Sequence, residues 1–410
     1  MEKHDVIIIG SGPAGMAAAV ELRKKGIDDI FIIEREKQRG GILRQCVHDG
    51  FGLTRFGVSL AGPEYSQRFI DEIDKMGIKC LTDATVIDLS KDKILTAATK
   101  HGLMQYQGKA VILAMGCRER TRGALAIPGT RPSGIYNAGV AQSYINLHNT
   151  MVGKEIVILG SGDIGLIMAR RLTLEGAHVK AVYEIQPFPS GLPRNLEQCL
   201  NDYNIPLYLS RSVVDIKGTE RIEGVVVSDY DENMRPIKGT EEFVSCDTLI
   251  LSVGLIPENE LSLSAGITLD PRTNGAVVDE FGQTDVSGIF AAGNVLHVHD
   301  LADFVSQEGE RTASAVARYL NEGLPESTMK VTTSDMIGHI IPQRISGTSE
   351  FHMSFRVRRP MARCRVQIKQ GDEVIKAVTL QKALPTDMVH IDISTSELRN
   401  GQDLEVTVNE

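Results

Sequence analysis

The chain has 410 residues, 42% hydrophobic and 24% charged, with a formal net charge of −9 at pH 7. That length implies roughly two to three domains with ample chain for buried cores, and the acidic balance argues against general binding to nucleic acid or anionic membranes. No uninterrupted apolar stretch suits a transmembrane helix, and the apolar N-terminus lacks the basic region and cleavage site of a secretory signal, so the expected location is cytoplasmic.

The first predicted element is a buried strand, Val6-Ile7-Ile8-Ile9, running into Gly10-Ser11-Gly12-Pro13-Ala14-Gly15. A helix follows, then Gly26, then a second strand that ends at Glu34. In such a unit the first glycine permits the turn and the second lets the backbone approach a pyrophosphate. The third lets helix and sheet pack closely, and the helix N-terminus favours the anion. Apolar spacing predicts a helix over 64–76, and Ala110 to Gly116 reads as another buried strand. A further helix is expected over 139–149.

The whole signature then recurs. Ile156-Val157-Ile158-Leu159 leads into Gly160-Ser161-Gly162-Asp163-Ile164-Gly165, with Gly176 and Glu184 in the same internal register as Gly26 and Glu34. Each Glu stands 24 residues after the first glycine of its motif. A lone glycine motif is weak evidence; two in full context point to two dinucleotide sites, not to two unrelated turns. Two sites in one chain suggest electron traffic between a flavin and a nicotinamide.

Beyond Glu184, Pro187 to Pro193 reads as a loop, 195–203 as a helix and Thr248 to Gly254 as a strand. Ile289 to Asn294 is a further strand, and 306–321 a helix. After Gly323-Leu324-Pro325 the pattern changes to period two, as in Arg363 to Ile368, Val374 to Leu380 and Val389 to Ile393. That predicts a small half-buried antiparallel sheet from about residue 330.

The six cysteines, at 46, 80, 117, 199, 246 and 364, form neither CxxC nor CxxxxC. No zinc ribbon or paired dithiol is visible, and most are expected to be buried thiols.

These motifs resemble the two-dinucleotide-binding-domain flavoproteins of the pyridine nucleotide-disulfide oxidoreductase superfamily, over roughly residues 1–325. The resemblance implies an α/β fold of two Rossmann-like dinucleotide-binding domains, the second inserted in the first, plus a small β-rich C-terminal domain. The boundaries it implies are 1–118 with 256–328 for FAD, 119–255 for NAD(H) and 329–410 for the β-rich part. FAD would be held by Gly10, Gly12, Pro13, Ala14, Gly15, Glu34, Arg35, Gly41, Val86, Ala114, Gly116, Gly293, Asn294 and Phe304. NAD(H) would be held by Gly160, Gly162, Asp163, Ile164, Gly165, Glu184 and Gly254.

Two departures from the family pattern matter. Asn294 replaces the usual Asp of the second FAD signature, and an amide can still bond a ribityl chain. The two redox-cysteine positions after Gly40-Gly41 fall on Leu43 and His48, with Cys46 alone between them. Dithiol exchange is therefore not expected. The stretch Gly40 to Leu53, with Gly62 to Tyr65 and Met115 to Arg120, is similar to the flavoprotein associated with anaerobic glycerol 3-phosphate dehydrogenases. It is also similar to FAD/NAD subunits of proline dehydrogenase, sarcosine oxidase and hydrogen cyanide synthase. That implies NADH as co-substrate and a second dehydrogenase flavoprotein as partner, with homo-oligomerisation open.

Several residues carry two readings. His48 is either a proton partner for the flavin or a turn cap before Asp49-Gly50, and Cys46 shares that ambiguity. Cys117 follows the carboxyl end of a strand, where ligands gather, but also suits loop packing. Arg118, Arg120 and Arg122 either face nucleotide phosphates or form a solvated turn with Glu119. His297, His299 and Asp300 invite a metal reading, yet no further ligand is evident, so no metal is expected. Leu301 to Gly309 leads into a helix whose N-terminus the family places at the flavin pyrimidine. Arg356, Arg358, Arg359, Arg363 and Arg365 either dock an acidic partner or line a hairpin's solvent face. The expected function is hydride exchange between NAD(H) and FAD, in a glycerol 3-phosphate dehydrogenase system. The alternatives are one component of an amino-acid or amine dehydrogenase, or a non-catalytic flavin scaffold or redox sensor.

Overall fold

Val6, Ile7 and Ile8 are wholly buried because their strand, Glu2–Ile9, is paired in parallel on both edges and covered on both faces. The computed structural model describes residues 1–398 and 401–410. The chain divides into two units, Met1–Cys117 with Pro257–Glu410, and Arg118–Ile256.

In the first unit the sheet runs in the order Lys79–Leu81, Ile30–Ile33, Glu2–Ile9, Gly102–Leu113. Ile94–Thr99 and Thr85–Leu89 extend it antiparallel, and Ile289–Ala291 pairs in parallel with Gly102–Leu113. Alternation along the strand sends Val6 and Ile8 to one core, and Ile7 and Ile9 to the other. The first core is closed by the helix Pro13–Lys24, by Tyr65, Phe69 and Ile73 of the helix Gly62–Lys75, and by the helix Ala302–Glu322. Close helix contact needs Gly309, where a Cβ would lie 2.3 Å from the Ala14 carbonyl oxygen.

That last helix begins four residues earlier than apolar spacing predicts. Its first turn is fixed from outside: Asp303 accepts the N–H groups of Gly52, Thr54 and Arg55 at 2.9, 2.8 and 3.1 Å.

The C-terminal part of this unit is a correction to the single antiparallel sheet expected. Two sheets pack over one core that includes Val331, Val366 and Val406 on one side and Ile337, Met353 and Phe355 on the other. One sheet has five strands, and in it Met329–Thr333 runs parallel to Leu404–Asn409. The other is Ile337–Ile341, Phe351–Val357 and Val389–Ile393. Period-two alternation marks each strand but carries no information on which distant strand it pairs with.

The second unit holds a five-stranded parallel sheet in the order Leu207–Tyr208, His178–Tyr183, Glu155–Leu159, Thr248–Leu251, Ile135–Asn137. A separate antiparallel sheet comprises Arg211–Gly218, Ile222–Asp229 and Glu242–Ser245. The helix expected over 195–203 is broken: Pro193–Cys199 is α-helical and Asn201–Tyr203 is a 3-10 turn. Leu200 joins the two at a stretched φ of −113°, and Asn204 ends the turn in the left-handed region.

Candidate functional site

The three glycines of the first motif do three different jobs. Gly10 sits at φ +103°, and a Cβ there would lie 2.4 Å from the Ala114 carbonyl oxygen. A Cβ on Gly15 would lie 2.0 Å from the Gly10 carbonyl oxygen. A Cβ on Gly12 meets nothing within 4 Å, so the fold does not require glycine there. It leaves the start of the helix Pro13–Lys24 open, and no side chain caps that N-terminus. Uncapped N–H groups beside an open approach fit a pyrophosphate.

Glu34 is buried at the end of its strand. Its Oε2 accepts both the N–H and the hydroxyl of Ser11, each at 2.7 Å, and its Oε1 accepts the Glu36 N–H at 2.8 Å. A carboxylate offers about four acceptor sites, so capacity remains for a ribose hydroxyl. Gly41, in the left-handed region, lies against Gly12: its Cβ would be 2.9 Å from the Gly12 Cα. Ala114 donates to the Ile9 carbonyl, Gly116 turns the chain at φ +74°, Val86 is half-buried and Arg35 is exposed.

The second motif repeats this construction. A Cβ on Gly160, φ +92°, would lie 2.1 Å from the Ser252 carbonyl oxygen, and the Ser252 hydroxyl accepts the Gly165 N–H at 3.0 Å. Glu184 Oε2 accepts the Ser161 N–H at 2.9 Å and the Ser161 hydroxyl at 2.6 Å. Its Oε1 accepts the Gln186 N–H at 2.9 Å. Ser190, in a loop to which the sequence assigns no role, donates its hydroxyl to Glu184 at 2.9 Å. Asp163 Oδ1 accepts the Leu192 N–H and the Asn195 amide, tying the same loop to the glycine turn. Ile164 is half-buried in the first helical turn, Gly162 precedes it, and Gly254 is exposed at φ +102°.

Cys46 and His48 lie in the turn after the 3-10 segment Gly41–Gln45. Burial pushes the Cys46 thiol up to about 12, so almost no thiolate exists at neutral pH. Its sulfur lies 3.4 Å from the Ile42 carbonyl oxygen, to which the thiol donates. None of the six cysteines forms a disulfide, and three rather than most are fully buried. His48 Nδ1 lies 3.1 Å from the Asp49 carbonyl, with its ring against Phe51, which is a turn-bracing geometry.

Asn294 faces Cys117: its amide Nδ2 is 3.6 Å from the thiol sulfur. Its Oδ1 accepts the His299 backbone N–H at 3.1 Å. Glu308 enters here from the helix Ala302–Glu322, with Oε2 accepting the Gly293 N–H at 2.6 Å and Oε1 lying 3.0 Å from His297 Nε2. Burial opposes ionisation of Glu308, but the two histidines beside it hold it well below the usual carboxylate range. Burial drives His297 down to about 4. The ligand atoms of His297, His299 and Glu308 lie within 4.8 Å of one another, so the third partner that the sequence does not reveal is Glu308.

The β-rich part contributes to the same region. Arg356 pairs with Asp300 and donates to the Val298 carbonyl at 3.1 Å, so it is not part of an exposed basic patch; Arg358, Arg359, Arg363 and Arg365 are exposed. Phe304 packs its ring against that of His390 at a 44° tilt, centroids 4.4 Å apart, and His390 is bonded through His352 to Asp392. In the second unit, Arg122 donates to the carbonyls of Ile127, Pro128 and Gly129, bracing its own loop. Glu119 accepts the Gly139 N–H at 2.8 Å, while Arg118 and Arg120 are exposed.

The sequence profile described as pyridine nucleotide-disulphide oxidoreductase matches residues 4–317. The chain is 26% identical over 314 residues to one of the opine oxidase subunits of Agrobacterium tumefaciens (strain Ach5), covering 71% of this chain and 61% of that one. It is 26% identical over 285 residues to the HcnB subunit of hydrogen cyanide synthase from Pseudomonas protegens, covering 64% and 58%. The chain thus spans about three fifths of the length of these curated relatives. Among solved structures, thioredoxin reductase of T. acidophilum superimposes with a TM-score of 0.64 at 23% identity, over 77% of this chain and 98% of that one. No helix among the described residues is long and apolar enough to cross a membrane.

Proposed function

This chain belongs to the pyridine nucleotide-disulphide oxidoreductase family, whose members typically bind FAD and NAD(P)H, and from that premise we propose that it exchanges a hydride between NAD(H) and FAD. The observation that carries this reading is the duplicated serine–glutamate pair, Ser11 with Glu34 and Ser161 with Glu184, each beside a glycine turn that opens a helix. Gly10, Gly12, Pro13, Ala14, Gly15, Glu34, Gly41, Ala114, Gly116, Gly293 and Asn294 would hold FAD. Gly160, Gly162, Asp163, Ile164, Gly165, Glu184 and Gly254 would hold NAD(H). Bound FAD supplies hydride acceptance and the release of electrons singly or in pairs.

The chain's own part is binding, orientation and charge. The helix Ala302–Glu322 presents its positive N-terminal end after the Asn294 loop, with Asp303 bonded to the N–H groups of Gly52, Thr54 and Arg55. Cys46, held protonated by burial, does not serve as a nucleophile in this reading.

For the physiological role, the segment Gly40 to Leu53 favours a partner of the glycerol 3-phosphate dehydrogenase type. A second reading, one component of an amino-acid or amine dehydrogenase, has its own support: two of the relatives are named as subunits of opine oxidase and of hydrogen cyanide synthase. Capture of the full-length chain from its native host, followed by NAD+-dependent dye reduction with glycerol 3-phosphate and with amino acids, separates them. Turnover with neither substrate in any captured fraction, despite NADH oxidation by the chain alone, would leave both partner assignments wrong.

A further inference from the structure

We infer that His297, His299 and Glu308 form a binding site for one divalent transition-metal ion of the zinc type. The site lies in the first unit, where the loop after Asn294 meets the second turn of the helix Ala302–Glu322. It does not depend on the nicotinamide chemistry proposed above.

The geometry comes first. His297 Nε2 is 3.0 Å from Glu308 Oε1, and His299 Nε2 is 3.5 Å from Glu308 Oε2. Zinc bonds of about 2.0–2.1 Å in a tetrahedral arrangement place neighbouring ligand atoms about 3.3 Å apart. The two observed separations, one to each carboxylate oxygen, are close to that spacing, and one ligand atom from each of the three residues lies within 4.8 Å of the others.

The anchoring of the His299 ring is the second observation. Its Nδ1 lies 3.1 Å from the His297 carbonyl oxygen and 3.2 Å from Asn294 Oδ1. A backbone carbonyl only accepts, so Nδ1 carries the proton and donates. Nε2, on the opposite side of the ring, then faces the carboxylate oxygen of Glu308. The His299 and Glu308 side chains are only 3% and 11% exposed, so these two atoms face each other away from water. An imidazole whose other nitrogen is pinned to a backbone carbonyl is the supporting arrangement that metal-bound histidines use.

His297 adds a third observation. Its side chain is 1% exposed, and Nδ1 has no hydrogen-bond partner among the described residues. Its Nε2 points at the same carboxylate. Two imidazoles and one carboxylate suit zinc or iron and do not suit magnesium or calcium, which prefer all-oxygen shells. No thiolate takes part: the nearby Cys117 contacts Asn294 instead. An ion here would tie the Gly293–Asp300 loop, which carries Asn294, to the helix that supplies Glu308.

The test uses the full-length protein without a polyhistidine tag, loaded with zinc and then dialysed against metal-free buffer. Elemental analysis should return about one zinc per chain. His297→Ala and His299→Ala should each weaken zinc binding more than about 100-fold in competition with a chromophoric chelator, beyond the usual cost of losing a merely supporting residue. His352→Ala, which alters a histidine outside the trio, should leave it unchanged. Should the alanine variants fail to fold, the X-ray absorption spectrum of zinc on the wild-type protein decides. A nitrogen and oxygen shell with two imidazoles supports the assignment; a shell with sulfur, or with fewer imidazoles, overturns it. Less than about 0.1 zinc per folded chain after loading also overturns it.

Discussion

Glu184 holds Ser161 twice through one oxygen, accepting its N–H at 2.9 Å and its hydroxyl at 2.6 Å. With Gln186 and Ser190 also donating, the carboxylate has four donors, about as many as it can accept. A ribose hydroxyl would therefore replace the Ser190 hydroxyl, the donor that comes from the neighbouring loop. A 2′-phosphate would bring charge repulsion to the same oxygen with no hydroxyl to donate. The expected outcome is a preference for NADH over NADPH of at least about tenfold in kcat/KM, roughly 1.4 kcal/mol. Steady-state rates with each nucleotide check it; equal or better use of NADPH would show that Glu184 does not set the choice.

Gly12 offers a substitution that the fold tolerates and FAD does not. A Cβ there meets open space, in contrast to Gly15, where it would strike the Gly10 carbonyl. Gly12→Val should leave the stability of the FAD-free protein within the small range of a harmless surface change, about 0.5 kcal/mol. FAD content should fall to under about a tenth of wild type, because the side chain stands where the pyrophosphate approaches. Flavin absorbance against protein concentration measures this, and full flavin content in the variant would contradict the assignment.

Cys46 should be dispensable for electron transfer. Its thiol is pushed up to about 12, so it offers no thiolate at neutral pH. Cys46→Ser should change turnover from NADH to an artificial acceptor by less than about tenfold, under roughly 1.4 kcal/mol in the barrier. A loss of several orders of magnitude with FAD still bound would make Cys46 a participant.

Acid should destabilise the first unit through its buried histidines. Burial, with His297, Arg356, His299 and Arg272 nearby, pushes His339 down to about 3. Burial, with His352, His299, Arg311 and His297 nearby, pushes His390 down to about 4. Both stay neutral when folded but take up a proton when unfolded below about pH 6.5. Their stabilisation is complete above that pH and is lost as pH falls from about 6.5 towards 4. Calorimetry should show the melting temperature falling over that window, with a shallower slope in a His339→Gln, His390→Gln double variant. An identical slope in the two proteins would remove these histidines from the explanation.

Local units are legible in the sequence and long-range pairings are not. Both glycine turns and both strand-end glutamates are readable because the turn, helix and strand lie within one short stretch of chain. The link from Glu308 to His297 and His299 requires the helix Ala302–Glu322 to be in place first; helical spacing marks where that helix runs but not which side chains it returns to the loop. The early start of that helix is hidden for a related reason: Asp303 is capped onto Gly52, 251 residues away in sequence. Arg356 reads as one of a basic cluster, and only the packing of the β-rich part against Asp300 takes it out of that cluster.

The most direct test of the account is an anaerobic titration of the FAD-loaded protein with NADH. Leu43 and His48 stand where a redox disulfide would, and none of the six cysteines forms a disulfide. The flavin absorbance should bleach with uptake of two electrons per FAD, with no long-wavelength band from a thiolate beside the flavin and no new thiols on labelling. No bleaching by NADH, or uptake of four electrons with new thiols appearing, would contradict it.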